Sequence, residues 1–300
     1  MSTVQTSDYL KLHFIVFLWG STAVLGKLIS IPAVEMIFYR MLLASLGMIA
    51  FMLIKKESFI IRAKDILKLL LVGSLVATHW IAFFGSGQVS TASVSLVGFA
   101  TASLWTAIIE PLSNRKRIQP LEIGLGAFVI IGLYIIFSFD FEYFLGLGLG
   151  ILSGLLLAIF AVINSHLVRR IPSATITMYE MMGGFLFTAA FLPFYKNLWA
   201  IDGELQLTPA AMDWLYIGIL AIVCSVYAYS VSVELMKKIS VFTIQLALNL
   251  EPVYGIIMAV ILLNEGKYLN TAFYVGAAII LLAVLLYPYL KSRLSKSNFA

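Results

Sequence analysis

The sequence has few charged residues and a single cysteine. Charged side chains make up 12% of its 300 residues, about half of the share in an ordinary soluble domain, whereas 61% of the residues are hydrophobic. A soluble domain of this length could not bury so much apolar surface in one core, so lipid must be the solvent for much of it. Because Cys224 is the single cysteine, an intrachain disulfide is excluded. Its position in an apolar run also argues against a thiol metal cluster.

Two further signals are missing, namely a cleaved leader and a nucleic-acid-binding surface. The first apolar stretch, residues 10–29, is long enough to span a bilayer and has no small-residue cleavage pattern after it. The net charge of +5 comes from short cationic clusters between apolar runs, whereas a nucleic-acid binder gathers its cations on one groove or helix face. We therefore expect one membrane unit with no soluble domain and no nucleic-acid partner.

The sequence does contain a series of ten apolar segments. A helix needs about 20 residues to cross the hydrocarbon core, and open backbone cannot be satisfied in lipid. Pro32, Pro120, Pro172 and Pro209 each break a helical pattern just before a new segment. The ten predicted spans are 10–29, 33–54, 67–86, 90–112, 120–138, 146–168, 174–195, 212–234, 240–263 and 270–290.

The positions of the cations predict how these spans are oriented. With the N-terminus in the cytoplasm, sixteen of the twenty lysines and arginines fall in cytoplasmic segments. Lys27, Lys196 and Lys267 fall outside, and Arg40 lies within a span. This bias is the positive-inside pattern of membrane proteins. We predict an integral protein of a bacterial cytoplasmic (inner) membrane with both termini in the cytoplasm.

The chain also carries an internal duplication. One constant shift in residue number lays Ile31-Pro32 on Ile171-Pro172, and Tyr39-Arg40-Met41 on Tyr179-Glu180-Met181. Chance similarity between apolar segments explains these two motifs at identical spacing poorly. Because each half contains five spans, an odd number, the second half must enter the membrane in the opposite orientation.

The duplication predicts an all-α membrane fold of ten transmembrane helices, built from two inverted five-helix repeats at residues 1–138 and 146–290. Inverted repeats are typical of secondary transporters, whose two halves rock about a solute site near the midplane. An enzyme or a structural anchor has no comparable need for two related, opposed halves. The duplication therefore indicates transport.

Several short motifs follow one another in a fixed order. They are Trp19-Gly20-Ser21 with Lys27, Pro32 with Arg40, and Glu251-Pro252 with Leu263-Asn264-Glu265. With them the chain resembles the drug/metabolite transporter superfamily, and within it the ten-span EamA-type permeases. The resemblance implies a proton- or gradient-linked permease or exporter of amino acids and similar metabolites, with spans 1–4 and 6–9 around a central cavity. Span four departs from the family pattern because Glu110-Pro111 is displaced, so we carry no family role onto it.

Polar side chains within the spans are the candidates for solute contact, because a polar group left in lipid is costly. Arg40 stays charged and can bind a carboxylate through two hydrogen bonds, or it can form a fixed ion pair, for example with Glu35. His79 titrates near neutral pH and can relay a proton or bind solute; the alternative is a hydrogen bond to a neighbouring helix carbonyl. Asn164, an amide inside span six, is also a candidate for solute contact.

Span nine contains the densest group of such residues. Gln245, Asn249 and Pro252 are spaced i, i+4 and i+7 and share one helix face. Pro252 cannot donate to the carbonyl four residues earlier, which predicts a helix break with a free acceptor. A polar stripe beside such a break predicts solute contact for Gln245 and Asn249. Helical spacing places Glu251 about 120° away from Gln245, so it is either a pairing residue or, like His79, a candidate proton carrier.

Other classes of function fit the sequence less well. An intramembrane enzyme would need a nucleophile with its base or a metal-binding set, whereas the three histidines lie in separate spans and HExxH, GxSxG and phosphate-binding loops are absent. A channel or non-coupled facilitator would favour a continuous ring of selectivity groups. A lipid- or partner-binding membrane protein stays open as an alternative. We predict a secondary transporter of small metabolites, chiefly amino acids or similar zwitterionic or neutral solutes, that works by alternating access without cofactor or metal and with protons as the candidate coupling ion.

Overall fold

The computed structural model describes residues 4–121, 124–125, 128, 131–132, 135, 143–248, 250–267 and 269–297. These residues form helices joined by short connections, and none of them lies in a strand. The helices are α1 (Thr6–Gly20), α2 (Thr22–Leu28), α3 (Ala33–Lys55), α4 (Ala63–Val89), α5 (Ala92–Phe99), α6 (Ala102–Ser113), α7 (Phe144–Leu167), α8 (Ser173–Leu198), α9 (Ala211–Ile219), α10 (Ala228–Leu235), α11 (Val241–Leu248), α12 (Glu251–Leu262) and α13 (Thr271–Ser297). A π-helical segment, Leu220–Tyr227, joins α9 to α10, and single 3₁₀ turns lie at Ile201–Gly203 and Glu265–Lys267.

Seven helical segments of the described chain are long and apolar enough to cross a membrane. They are Thr6–Leu28, Ala33–Lys55, Ala63–Val89, Ala92–Ser113, Phe144–Leu167, Ser173–Leu198 and Ala211–Leu235. Two shorter apolar stretches follow, namely α12 (Glu251–Leu262) and the Thr271–Ala283 part of α13. The predicted fifth span, residues 120–138, lies largely outside the described residues. Seven such helices fit an all-α membrane protein, and the total of ten spans stays a prediction.

Helix α4 lies at the centre of the bundle and packs closely against α7 and α8. Glycines permit this approach: a Cβ atom at Gly73 of α4 would lie 2.8 Å from the backbone nitrogen of Gly184 in α8. Gly183 similarly faces the backbone of Leu70. Small residues at such crossings are how membrane helices gain packing contacts when lipid provides no hydrophobic drive between them. The crossing brings the middle of α8, including Glu180, against the backbone of α4.

The two repeats contact each other through equivalent residues. The hydroxyl of Tyr39 in α3 donates a hydrogen bond of 2.7 Å to the carbonyl of Leu207. Its equivalent in the second repeat, Tyr179 in α8, donates one of 2.9 Å to the carbonyl of Phe59. In each case a tyrosine in the second turn of a helix binds the connection just before a helix of the opposite repeat.

Two aspartates make a second pair of equivalent contacts. Asp213, in the first turn of α9, accepts hydrogen bonds from the backbone nitrogen (3.0 Å) and the hydroxyl (2.5 Å) of Ser30. Asp65, in the first turn of α4, accepts bonds of 2.6 and 2.7 Å from the two terminal nitrogens of Arg170. Ser30 and Arg170 are equivalent under the shift that relates the repeats, and each directly precedes an Ile-Pro pair. The contact between Asp65 and Arg170 is an ion pair, whereas the side chains of Asp213 and Ser30 form a carboxylate–hydroxyl hydrogen bond.

Two glutamates stabilise helix starts in the opposite repeat. Glu265 accepts hydrogen bonds from the backbone nitrogens of Ala92 (2.8 Å) and Ser93 (3.1 Å) at the start of α5. Glu110 accepts one of 2.8 Å from the backbone nitrogen of Phe242 at the start of α11. A carboxylate at a helix N-terminus satisfies free N–H groups and interacts favourably with the helix dipole. Glu110, displaced in sequence from the family motif, therefore makes the same kind of contact as Glu265.

The equivalent contacts lie at opposite ends of α4. Gln88, near the end of α4, exchanges hydrogen bonds with the backbone of Ile31 and Ala33 at the start of α3. Asp65, at the beginning of α4, binds Arg170 just before the start of α8. We call these two ends of the bundle the Asp213 end, which holds Ser30, and the Asp65 end.

Candidate functional site

An internal cavity of about 60 Å³ lies between helices of both repeats. By this measure it has room for only a few water molecules. Much of its wall is aromatic and is formed by Trp19, Trp80, Phe83, Phe84, Phe99, Phe160 and Tyr229. Its polar lining residues are Thr22, Arg40, His79, Asn164, Ser232, Gln245 and Glu251. Such a small polar set in an apolar, aromatic pocket is typical of a small-molecule site.

Arg40 supplies a positive charge to this cavity. Its guanidinium carbon lies 3.6 Å from the centre of the Trp80 ring and 5.5 Å from that of Phe84, and the residue is 2% exposed. The Nε atom donates a hydrogen bond of 2.9 Å to the hydroxyl of Ser225. Within the described part of the chain, Arg40 forms no ion pair, so the alternative of a pair with Glu35 is not what the structure contains.

The π-helical segment holds Arg40 and Trp19 in place. The Ser225 hydroxyl that accepts from Arg40 itself donates to the carbonyl of Leu220, five residues earlier. The indole nitrogen of Trp19 donates a hydrogen bond of 2.9 Å to the carbonyl of Cys224. A π-helical turn widens the helix and frees backbone carbonyls, and such turns are frequent at functional sites. Here the segment fixes two side chains of the first repeat from the second repeat.

Glu251 supplies a negative charge to the same cavity. It is the first residue of α12 and is 4% exposed. It is close enough to Arg40 for the two charges to interact, yet among the described residues neither forms an ion pair. Helical spacing predicted that Glu251 points away from Gln245, but both residues line the cavity. That expectation is wrong because it assumed one continuous α-helix, whereas the backbone nitrogen of Leu250 donates to the carbonyl of Ala247, three residues earlier, and a new helix begins at Glu251.

His79 is held by α7 through one ring nitrogen. Its Nδ1 atom lies 2.9 Å from the carbonyl oxygen and 2.8 Å from the hydroxyl of Ser153. A carbonyl oxygen can only accept, so this contact requires a hydrogen on Nδ1, and the Nε2 atom of the neutral ring is then an acceptor. Phe99 and Phe160 flank the ring, with centroid distances of 5.9 and 5.4 Å. His79 therefore makes the predicted hydrogen bond to a carbonyl of a neighbouring helix through Nδ1, and it also lines the cavity.

Asn164 belongs to a buried polar cluster with Glu180 and Tyr229. Its amide nitrogen donates to Glu180 Oε2 (3.2 Å) and to the Tyr229 hydroxyl (3.1 Å). That hydroxyl donates a bond of 2.6 Å to the same Glu180 oxygen. Asn164 and Glu180 are 0% exposed, and Asn164 Oδ1 and Glu180 Oε1 have no hydrogen-bond partner among the described atoms. Asn164 and Tyr229 line the cavity, and Glu180 lies behind them.

The structure brings most of the predicted site residues together. Arg40, His79, Asn164, Gln245 and Glu251 line one cavity although they come from separate helices. Asn249 lies outside the described residues. Pro252 is the second residue of α12. Whether these residues bind solute stays a prediction.

Sequence reasoning missed three residues that shape the site and left the role of a fourth, Glu180, open. Trp80 and Tyr229 look like ordinary membrane aromatics, which usually serve as packing or interface anchors. Ser225 is a small hydroxyl in an apolar run and gives no signal in the sequence. Glu180 did carry a signal, because the shift that relates the two repeats aligns it with Arg40.

Comparisons with known proteins place this chain among membrane transporters. The family model described as "EamA-like transporter family" matches residues 9–138 and again residues 144–288. The fold is also similar to a solved structure titled "Crystal structure of protein", with a TM-score of 0.70 and 14% sequence identity, over 96% of this chain and 99% of that one. At that identity the likeness shows the fold alone. No curated protein matches the chain.

Proposed function

This chain belongs to the EamA-like transporter family, and on that basis we propose that it is a secondary transporter of small zwitterionic solutes, chiefly amino acids, working by alternating access. The central cavity is the proposed solute site. The observation that carries the proposal is that Arg40 and Glu251 both line this cavity and that neither forms an ion pair with a described residue.

A zwitterion would satisfy both charges at once. The Arg40 guanidinium uses Nε for Ser225, and its two terminal nitrogens remain available to bind a carboxylate through two parallel hydrogen bonds. Glu251 offers its carboxylate to an ammonium group. Buried charges are costly unless they are paired, so a solute that carries both opposite charges would be favoured over one that carries a single charge.

The remaining lining groups support recognition of a polar solute with an apolar side chain. His79 Nε2 is an acceptor for an N–H group, and Asn164 Oδ1 is an acceptor without a partner among the described atoms. The aromatic wall would contact an apolar side chain. A volume of about 60 Å³ is small for such a solute, so the cavity must widen before binding. The small volume and the burial of Arg40 and Glu251 support the assignment of this conformation to an occluded stage of the transport cycle.

The equivalent contacts at the two ends support ten spans arranged as inverted repeats. In this proposal the Asp65–Arg170 pair closes the cytoplasmic end and the Asp213–Ser30 contact closes the opposite end. Both contacts join one repeat to the other, as a rocking movement of two halves requires. If one of these two contacts breaks while the other is kept, the cavity opens to one side of the membrane only. The cytoplasmic assignment of the Asp65 end, and of both termini, rests on the distribution of cations.

Transport into proteoliposomes tests this proposal. We expect saturable, protein-dependent flux of at least one radiolabelled amino acid, and accumulation against its gradient when a proton gradient is imposed. The amide of the same amino acid, which lacks the carboxylate, and its N-acetyl form, which lacks the ammonium, should compete much more weakly. Equal competition by all three would contradict the assignment of Arg40 and Glu251. Downhill flux without accumulation under any imposed ion gradient would instead indicate a facilitator.

Variants of Arg40 sharpen this test. Arg40→Gln should abolish the preference for the carboxylate-bearing solute over its amide, because the two parallel hydrogen bonds are lost. Arg117→Gln, a change at an exposed arginine outside the cavity, is the matched control and should behave like the unmodified protein. If Arg40→Gln transports the amino acid with unchanged KM, Arg40 has a structural role only.

A further inference from the structure

We propose that the Glu180 carboxyl is the site at which this transporter binds its coupling proton. The inference rests on the proposed function, since it names the residue that links solute movement to a proton gradient. It also replaces His79 and Glu251, the two candidates of the sequence, in that role. The geometry of the cluster formed by Asn164, Glu180 and Tyr229 carries the argument.

Both donors in this cluster bind the same oxygen of Glu180. Tyr229 donates to Oε2 at 2.6 Å and Asn164 donates to Oε2 at 3.2 Å, whereas Oε1 receives no hydrogen bond from a described residue. The side chain is 0% exposed. A buried carboxylate with one oxygen unsatisfied and without a cation is an expensive arrangement. Binding a proton at Oε1 removes the charge and turns that oxygen into a donor.

The same cluster holds an acceptor that lacks a hydrogen. Asn164 Oδ1 is buried and has no partner among the described atoms, while the Asn164 amide nitrogen is already engaged twice. Among the described atoms, the cluster thus has two oxygens without a hydrogen bond and no spare hydrogen to share between them. Buried polar networks of this kind are costly when only partly satisfied. One added proton supplies the missing donor.

Among the described residues, no cation of the surrounding helices takes the place of that proton. Helix α4 passes Glu180 at Gly73, α7 presents Asn164, and α10 presents Tyr229. The other titratable residues on these helices, on α3 and on α8 are Glu35, Tyr39, Arg40, Lys55, Lys64, Asp65, Lys68, His79, His166, Tyr179, Tyr195, Lys196 and Glu234. None of these residues forms an ion pair with Glu180 in the described structure. Arg40 instead binds Ser225 and stacks on Trp80, and His79 binds Ser153.

Two side chains connect this carboxyl to the solute cavity. Asn164 and Tyr229 both bind Glu180 and both line the cavity. When Glu180 is ionised, its Oε2 atom holds the Tyr229 hydroxyl and the Asn164 amide; when Glu180 is protonated, these two donors are held less strongly and can turn to a solute. Proton and solute thus share donors, so each changes the affinity for the other by the same factor.

The position of Glu180 in its repeat supports this division of roles. The shift that relates the repeats places Arg40 on Glu180, so the two repeats carry opposite charges at equivalent sites of α3 and α8. Both side chains are almost fully buried. In the first repeat the charged group faces the solute cavity directly, and in the second repeat it lies behind two cavity residues. At this pair of equivalent positions, the first repeat thus provides a solute contact and the second repeat provides the proton site.

The decisive variant is Glu180→Gln, which keeps the shape of the side chain and cannot titrate. We expect it to exchange internal unlabelled for external labelled amino acid at close to the unmodified rate, because exchange needs only solute binding and alternation. Accumulation driven by an imposed proton gradient should be lost. Glu234→Gln, at an exposed carboxyl of α10, is the matched control and should retain both activities. Gradient-driven accumulation by Glu180→Gln at the unmodified level would overturn the proposal.

A second measurement does not depend on transport. Infrared difference spectra of the reconstituted protein between acidic and alkaline buffer detect the carbonyl stretch of protonated carboxylic acids. One component of this signal should be missing in Glu180→Gln and present in Glu234→Gln. An unchanged signal in Glu180→Gln would refute the proton site even if a solute has been found. Absence of flux for every amino acid in the unmodified protein, with the infrared component present, would reject the proposed solute class and leave the proton site supported.

Discussion

The guanidinium carbon of Arg40 lies 3.6 Å from the centre of the Trp80 ring, so a charge on α3 stacks on an aromatic face of α4. A cation–π contact is worth about 0.5–1 kcal/mol at an exposed site and about 2 kcal/mol or more when it is desolvated. The ring therefore helps to hold the guanidinium at the cavity wall while its terminal nitrogens remain free for solute.

Replacing this ring should weaken solute binding more than it weakens the fold. For Trp80→Leu we expect KM for the transported amino acid to rise about 2- to 30-fold, the ratio that corresponds to the loss of one such contact. Trp80→Phe keeps an aromatic face, so its KM should lie between those of the unmodified protein and Trp80→Leu. The measurement is initial uptake into proteoliposomes over a range of solute concentrations. A rise in KM of the same size for both variants would show that volume, and not the aromatic face, matters at this position.

Removal of the Tyr229 hydroxyl should alter the pH dependence of transport. Tyr229→Phe takes away the shorter of the two hydrogen bonds to Glu180 Oε2 and so destabilises the ionised carboxyl. The pH at which gradient-driven uptake is half-maximal should therefore shift upwards, because the proton is released less readily. The check is uptake measured at stepped external pH. Tyr227→Phe, at a half-exposed ring of the neighbouring π-helical segment, is the control and should leave the pH profile unchanged.

The two end contacts should control access from opposite sides. With Cys224→Ala as background and Ser232→Cys as a reporter in the cavity, Asp65→Asn should increase labelling by a membrane-impermeant reagent added at the Asp65 end. Asp213→Asn should increase labelling from the other side, because it weakens the contact with Ser30. Inside-out and right-side-out vesicles distinguish the sides.

The control for this accessibility test is Asp202→Asn, an exposed residue in the connection after α8. It should change labelling from neither side. If both end variants increase labelling from the same side, the two contacts do not act as opposed closures, and the rocking of two inverted halves is wrong.

Helix packing at the centre of the bundle should be intolerant of a single methyl group. A Cβ atom at Gly73 would come within 2.8 Å of the backbone nitrogen of Gly184, so Gly73→Ala must push α4 and α8 apart. We expect a marked fall in the yield of monodisperse protein and in its melting temperature in detergent. Gly148→Ala is the matched control, because a Cβ there meets nothing within 4 Å and alanine favours the helix by roughly 0.5–1 kcal/mol. Equal melting temperatures for the two variants would contradict the close crossing.

The sequence predicted the helical class and most of the cavity residues for identifiable physical reasons. Apolar length sets the spans, and a polar group inside a span must avoid lipid, which is why Arg40, His79 and Asn164 could be selected without a structure. The family resemblance is confirmed by a family model that covers nearly the whole chain. The solute and proton roles of these residues remain predictions.

The features of the site that the sequence did not predict depend on local departures from regular helix. The π-helical segment rotates Ser225 towards Arg40, and helical spacing alone does not reveal such a turn. The same holds for Glu251, which begins a new helix after the three-residue turn at Leu250 and lines the cavity, whereas the spacing of one unbroken helix turned it away from Gln245. Contacts between distant parts of the chain, such as Glu110 with Phe242, were also beyond reach because no local pattern encodes them.

The contact between Glu265 and the start of α5 has a consequence for how this protein is made. The two backbone N–H groups of Ala92 and Ser93 receive their acceptor from a residue 173 and 172 positions later in the chain. During synthesis the first repeat therefore enters the membrane with one helix start unfinished, and only the last part of the second repeat completes it. In the reverse direction, Glu110 of the first repeat accepts a hydrogen bond from the start of α11 in the second repeat. We therefore expect each half to mature fully only with the other, and we expect quality control in the cell to treat a chain stopped after the first repeat as an unassembled subunit.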